Sequence, residues 1–158
     1  MTSNARSGGR ILGRLRAADG KGVVRIEDRL EGDLRPGGTF LLSTAELDSD
    51  GRVDECERPR RLVVTTRETE ASYRKGQGAE PFDQVAEATL TADGEQTILV
   101  VEVRGMPLDK AFAYGAGWQI HAENLAAYLG GREPDDVEER WTALVPAYQD
   151  LAAKENLG

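Results

Sequence analysis

The sequence predicts an α+β fold: a curled antiparallel β-meander wrapped around one long helix, with a further helical segment at the C-terminal end. Three observations predict it. Apolar and polar residues alternate through the first two-thirds of the 158 residues, the two-residue period of strands with one buried face. The runs are separated by short turn signals, and connections that short join antiparallel neighbours, because parallel strands need a crossover of about a dozen residues or more. After Gly105-Met106-Pro107 the period lengthens to that of a helix.

Residues 1–9 are polar with no apolar run behind them and are expected to form a disordered tail, leaving 10–158 as a single domain. Ile11 to Ala17 alternates and ends in the hairpin signal Asp19-Gly20-Lys21-Gly22. Val23 to Leu30 follows as a second strand. Past the turn Arg35-Pro36-Gly37-Gly38, Thr39 to Thr44 forms another, which Asp48-Ser49-Asp50-Gly51 is expected to stop as a turn. Arg52 to Glu57 and Leu62 to Arg67 pair around Arg58-Pro59-Arg60. Glu68 to Pro81 has charges, two glycines and no period, and reads as a long exposed loop. Phe82 to Leu90 and Thr97 to Arg104, around Ala92-Asp93-Gly94-Glu95, complete the meander.

Ala111, Gly115, Trp118, Ala122, Leu125 and Leu129 are spaced 4, 3, 4, 3 and 4 apart, which sets them on one stripe of a helix running from about Leu108 to a stop at Gly130-Gly131. Ala113, Ala116, Ile120 and Ala127 make the opposite side apolar too. A helix apolar all round is buried, so the sheet covers one side and something else the other. The cover is the C-terminal segment, with Asp135 as its N-cap, Glu138 three residues on, and Val137, Trp141, Leu144, Val145 and Tyr148 at helical spacing. Pro146 is expected to kink this helix or to start a second one.

Taken in order, "EGDLRPGGTF", "GRVDECERPRRLVVTTRE" and "LTADGEQTILVVEVRGMPLDKAFAYGAGWQIHAENLAAYLGG" resemble the START-like (SRPBCC) helix-grip superfamily, and within it the homologues of the activator of heat-shock-protein-90 ATPase. The resemblance runs from about Arg10 to the C-terminal end. It implies a helix gripped by an antiparallel sheet, with a cavity between them for an apolar or amphipathic ligand. It also implies two short helices between the first long strand and the Gly-Asp-x-Arg-Pro-Gly-Gly strand. Two such helices need about twenty residues, yet Leu30 meets Glu31 directly, with neither glycine nor proline at the join. Lack of turn chemistry favours a helical segment interrupting the chain between Leu30 and Glu31, placed to gate a cavity mouth. If the strands instead connect directly, the inner face beside Phe40 and Leu42 is bare, and a second copy making a homodimer is expected to cover it.

Composition narrows the partners. Net charge is −8 at pH 7, which repels nucleic acid and anionic membranes on average. The longest apolar runs fall far short of the roughly 20 residues of a membrane span. One cysteine, Cys56, leaves no internal disulfide and fits a reducing cytoplasm. Composition thus leaves small molecules or proteins as partners, and the resemblance implies a small hydrophobic or amphipathic molecule. The expected lining is Trp118, His121, Phe40, Leu42, Gly115 and Ala122, in which small residues leave room and Trp118 forms a wall. Leu125 and Leu129 fit a filled core better. His121 is the sole histidine and the weak catalytic candidate, with a hydrogen-bonded residue at a helix edge as the plainer reading. Glu102 fits the solvent face of its strand.

No nucleophile–base pair or metal-ligand cluster can be assembled, and no cofactor is expected. Gly115 and Gly117 lack the strand and third glycine of a dinucleotide loop. Asp48 to Gly51 lacks the spaced ligands of a calcium loop. The acidic run Asp135, Asp136, Glu138 and Glu139 suits the positive end of a helix. Three functions follow as expectations: a ligand-binding protein without catalysis; a cyclase- or hydrolase-like enzyme using His121 and Trp118 in the same cavity; and a chaperone-regulating interaction module using the outer sheet face.

Overall fold

The computed structural model describes residues 4–6, 10–18, 29–43, 48–70 and 80–155. The strands are β1 (Asn4–Arg6), β2 (Arg10–Ala18), β3 (Arg29–Gly32), β4 (Thr39–Ser43), β5 (Asp48–Glu57), β6 (Arg61–Glu68), β7 (Asp83–Asp93) and β8 (Gln96–Arg104). They form one eight-stranded sheet in the order β1-β2-β8-β7-β6-β5-β4-β3. Every neighbouring pair is antiparallel. A short 3-10 turn, Leu108–Lys110, leads into helix α1 (Ala111–Leu129), and α2 (Val137–Glu155) follows. The meander thus runs from β3 to β8, closes on β2, and hands the chain to the gripped helix. Within the expected tail, Asn4–Arg6 pairs with Arg10–Leu12. The Asp19–Gly22 hairpin signal, the start of the expected second strand and residues 71–79 of the expected loop lie outside the described residues.

The join at Leu30-Glu31 corrects the expectation of an interrupting helical segment. Arg29–Gly32 is one unbroken strand, with Leu30 opposite Leu42 and Glu31 opposite Leu41. No turn residue stands there because no turn is made. The turn comes next, where Asp33 accepts hydrogen bonds from the Arg35 backbone N–H (3.0 Å) and from its guanidinium (2.9 Å). It is clamped onto β5 by Gly37 N–H donating to the Val53 carbonyl (2.7 Å) and Val53 N–H donating to Gly38 (2.9 Å).

A second correction concerns Asp48-Ser49-Asp50-Gly51, which is the first half of β5 and not a turn. Gly51 pairs with Phe40, and a methyl group at Gly51 would overlap the Phe40 ring. The glycine is there so that an aromatic ring can lie flat against the strand.

The helix lengths were legible and the caps less so. Asp136, not Asp135, caps α2: its Oδ1 accepts the N–H of Glu139 at 2.9 Å. The helix continues through Pro146 as one element. Gly131, at φ +66°, supplies the left-handed residue that ends α1, and Arg132 N–H returns to the Ala127 carbonyl at 2.9 Å. As expected, α2 covers the outer side of α1. Tyr148 is buried and donates to Gln119 at 2.8 Å, while Arg140 forks onto Glu123 at 2.9 and 2.8 Å.

Candidate functional site

Strand alternation sorts the sheet into two faces. Cross-strand partners share a face, so Leu30, Phe40 and Leu42, Gly51 and Val53, Leu62, Val64, Thr66 and Glu68, Gln84, Ala86, Ala88 and Leu90, and Leu99, Val101 and Val103 point to the helix side. The outer face is charged and paired with itself. Arg61 bonds Glu87 (2.6 Å) and Glu55, Arg104 bonds Glu87 (3.1 Å) and Glu102 (2.9 Å), and Arg52 bonds Asp54 (2.7 Å). Glu102 stands on this face as expected. The Arg61 guanidinium holds the Glu87 carboxyl below the usual carboxylate range, and the Thr65 hydroxyl does the same for Asp54.

The inner face divides at Trp118. Toward the start of α1 it is filled: Ala86, Val103, Met106 and Ala111 are buried, with Val64, Phe82, Val101, Tyr114 and Trp118 packed around them. Beyond Trp118 it is open. Leu62 and Leu90 keep 39% and 42% of their surface exposed, and Ala122, Leu125 and Leu129 on the helix stripe are only half-buried. The backbone of α1 comes closest to the sheet along β2, while Tyr114 and Trp118 reach over Ala86 of β7 and Val64 of β6. Leu125 and Leu129, expected as filled core positions, are half-buried. The filled side is the one toward α2, where Ala116, Ile120 and Ala127 are buried.

The sequence-predicted lining is brought together in part. Trp118 sits at the boundary between filled and open regions. Gly115 is buried and Ala122 half-buried, both on the flank of α1 away from Tyr114 at 100° per residue. Phe40 and Leu42 share the inner face and are half-buried, but they lie on β4, the fifth strand over from β2. His121 is exposed on the rim of the open side.

What the sequence reading missed is a polar group at the filled end. Glu68 ends β6 facing inward and is 5% exposed. It accepts a hydrogen bond from the Tyr114 hydroxyl. The Tyr114 ring meets Phe82 edge-on, with centroids 5.4 Å apart at 75°. Burial, reinforced by the Glu68 carboxylate, pushes the Tyr114 hydroxyl well above the ordinary tyrosine range, so it stays a donor. Two pairs along the same face, opposite Thr66, stands Gln84, whose Oε1 is buried without a hydrogen-bond partner. The alternation Leu62, Val64, Thr66, Glu68 carries the signal for Glu68, masked by its charge and by the aperiodic segment that begins there. Tyr114 was legible as the residue four before Trp118.

Among the described residues no three His, Cys, Asp or Glu side chains converge to hold a metal ion, and no helix is long and apolar enough to cross a membrane. Comparison with known proteins gives a family match: the model of Activator of Hsp90 ATPase homolog 1-like proteins matches residues 27–130. Among solved structures, the crystal structure of CalU16 from Micromonospora echinospora superimposes with TM-score 0.66 at 22% identity, over 91% of this chain and 88% of that one. DynU16, a protein of the dynemicin biosynthetic locus, gives 0.64 at 20% identity over 80% of this chain and 49% of that one, so the present chain spans about half its length. A protein from Bordetella parapertussis gives 0.51 at 22% identity, over 96% and 94% of the two chains. No curated protein matches. At these identities the structures establish the fold, a helix-grip arrangement of antiparallel sheet and C-terminal helices.

Proposed function

The chain belongs to the family of Activator of Hsp90 ATPase homolog 1-like proteins, and from that premise we propose that it binds a small hydrophobic or amphipathic molecule between the inner sheet face and α1. The observation that carries this is the open half of the inner face. Leu62 and Leu90 on the sheet are exposed, Leu125 and Leu129 on the helix are half-buried, and all four are apolar and on the gripping side. Leaving such area to water costs about 25 cal/mol per Å², and a ligand would recover it. The fold is shared with a protein of a biosynthetic locus, which suits a small organic ligand.

The fluorescence of Trp118 tests the proposal. Titration with an apolar probe should change tryptophan emission saturably, and Trp118→Ala should weaken binding several-fold more than Trp141→Ala, since Trp141 is exposed on α2. Equal effects of the two substitutions, or no saturable binding by any apolar probe, would reject it. His121→Ala should leave affinity unchanged, because the imidazole stands on the rim. On this reading the ligand is held rather than transformed, and the outer face, already ion-paired, does not carry the interaction.

A further inference from the structure

β3 is the last strand of the sheet, and no strand of the described residues pairs with its far side. The hydrogen bond from the Asp33 N–H to the Thr39 carbonyl (2.9 Å) fixes which backbone groups are left over. It flanks Gly32 and Phe40, which therefore face each other as a non-hydrogen-bonded pair, and Leu30 and Leu42, two residues along, form another. The N–H and C=O of Leu30 and of Gly32 thus point away from β4, off the edge. Leu30, and Leu34 in the turn that follows, are each 45% exposed. We propose that this edge pairs with the same edge of a second copy of the chain, antiparallel about a twofold axis at Leu30, so that two sheets join side by side in a homodimer.

Charge selects that register. A twofold pairing sets outward-pointing backbone opposite outward-pointing backbone, and within Arg29–Gly32 it can centre on any of the four residues. Centred on Arg29, it sets two arginines opposite each other; centred on Glu31, two glutamates; centred on Gly32, Glu31 against Asp33. Only the centre at Leu30 sets Arg29 of each copy against Glu31 of the other, twice over, with Leu30 meeting its own copy on the inner side. Charged residues on an edge ordinarily keep other strands away. Here one of each sign, two residues apart, excludes three registers and admits the fourth. The net charge of −8 on each copy opposes association, so the dimer is weak and forms as concentration rises. It lies beside the grip rather than over it, and Leu62 and Leu90 stay open to a ligand.

Sedimentation equilibrium tests the pairing through charge reversal. Wild type should show monomer and dimer in exchange, with the dimer fraction falling on dilution. Arg29→Glu and Glu31→Arg each put like charges opposite one another at both joins and should weaken association about tenfold. The double variant Arg29→Glu/Glu31→Arg should restore it. Mixing the two single variants should give a dimer that neither forms alone, because each supplies the charge that the other lacks. That result requires both variants to be folded, so it separates a lost contact from a lost fold. A wild type that keeps the monomer mass at every concentration would overturn the proposal. So would single variants that dimerise as wild type does, a double variant that stays weakened, or a mixture no more associated than its components.

Discussion

Glu123 sits on α1 between Gln119, whose amide reaches it at 2.8 Å, and Arg140 of α2. The Arg140 guanidinium holds the Glu123 carboxyl below the usual carboxylate range. A group whose folded pKa is lowered binds its proton more readily in the unfolded chain. Its contribution is therefore present above the unfolded value, about 4.3, and is lost as pH falls through the lower folded value. Glu123→Gln should cost about 1 kcal/mol at pH 7 for this half-exposed pair, and thermal melts should show the difference closing as pH drops below about 4. Gly51 makes a different residue-level prediction. Gly51→Ala forces its methyl into the Phe40 ring and should cost roughly 1–3 kcal/mol by overpacking, whereas the double variant with Phe40→Leu should recover part of that loss in denaturant titrations.

At the scale of the element, α1 separates a filled side from an open one. Ile120 is 5% exposed beneath α2, and Ile120→Ala should cost roughly 2–5 kcal/mol. Leu125 faces the open side half-buried, and Leu125→Ala should cost about 1 kcal/mol or less. Chemical denaturation of the two variants checks the phase of the helix: a reversed order would mean that the stripe of Leu125 is the packed one. The 3.6-residue period announced this helix and its length, and the alternation announced six of the strands. What period alone could not tell is which apolar side is covered, because Ala116, Ile120 and Ala127 repeat as regularly as Trp118, Leu125 and Leu129. Burial there is decided by α2, whose grip comes from Tyr148 and Arg140. Asp48 to Gly51 misled for a similar reason: its residues favour turns, but pairing with β4 and the Phe40 ring over Gly51 override local preference. Glu68 was read as loop, and with it the Tyr114 partnership went unseen, since a contact across 46 residues leaves no local trace.

For the whole molecule, the sheet is longer than its helix can cover. β3 runs straight through Leu30-Glu31 and adds a strand whose Leu30 is 45% exposed. Two occupants suit such a face, a ligand or a second copy of the chain. Sedimentation over a hundredfold dilution distinguishes them, because a ligand-filled monomer keeps one coefficient while a dimer that covers the face dissociates. Occupancy by ligand would also raise the melting temperature with probe concentration, by about 2.7 kcal/mol of stability at a hundred times the dissociation constant.

The most direct measurement is a methyl and indole NMR titration of the protein with 1-decanol. The account predicts saturable shifts at the methyls of Leu62, Leu90, Leu99 and Leu125 and at the Trp118 indole N–H, with the Trp141 indole and the Leu151 methyls, exposed on α2, unmoved. Shifts confined to Trp141, Val137 and Leu151, or none that saturate, would contradict it.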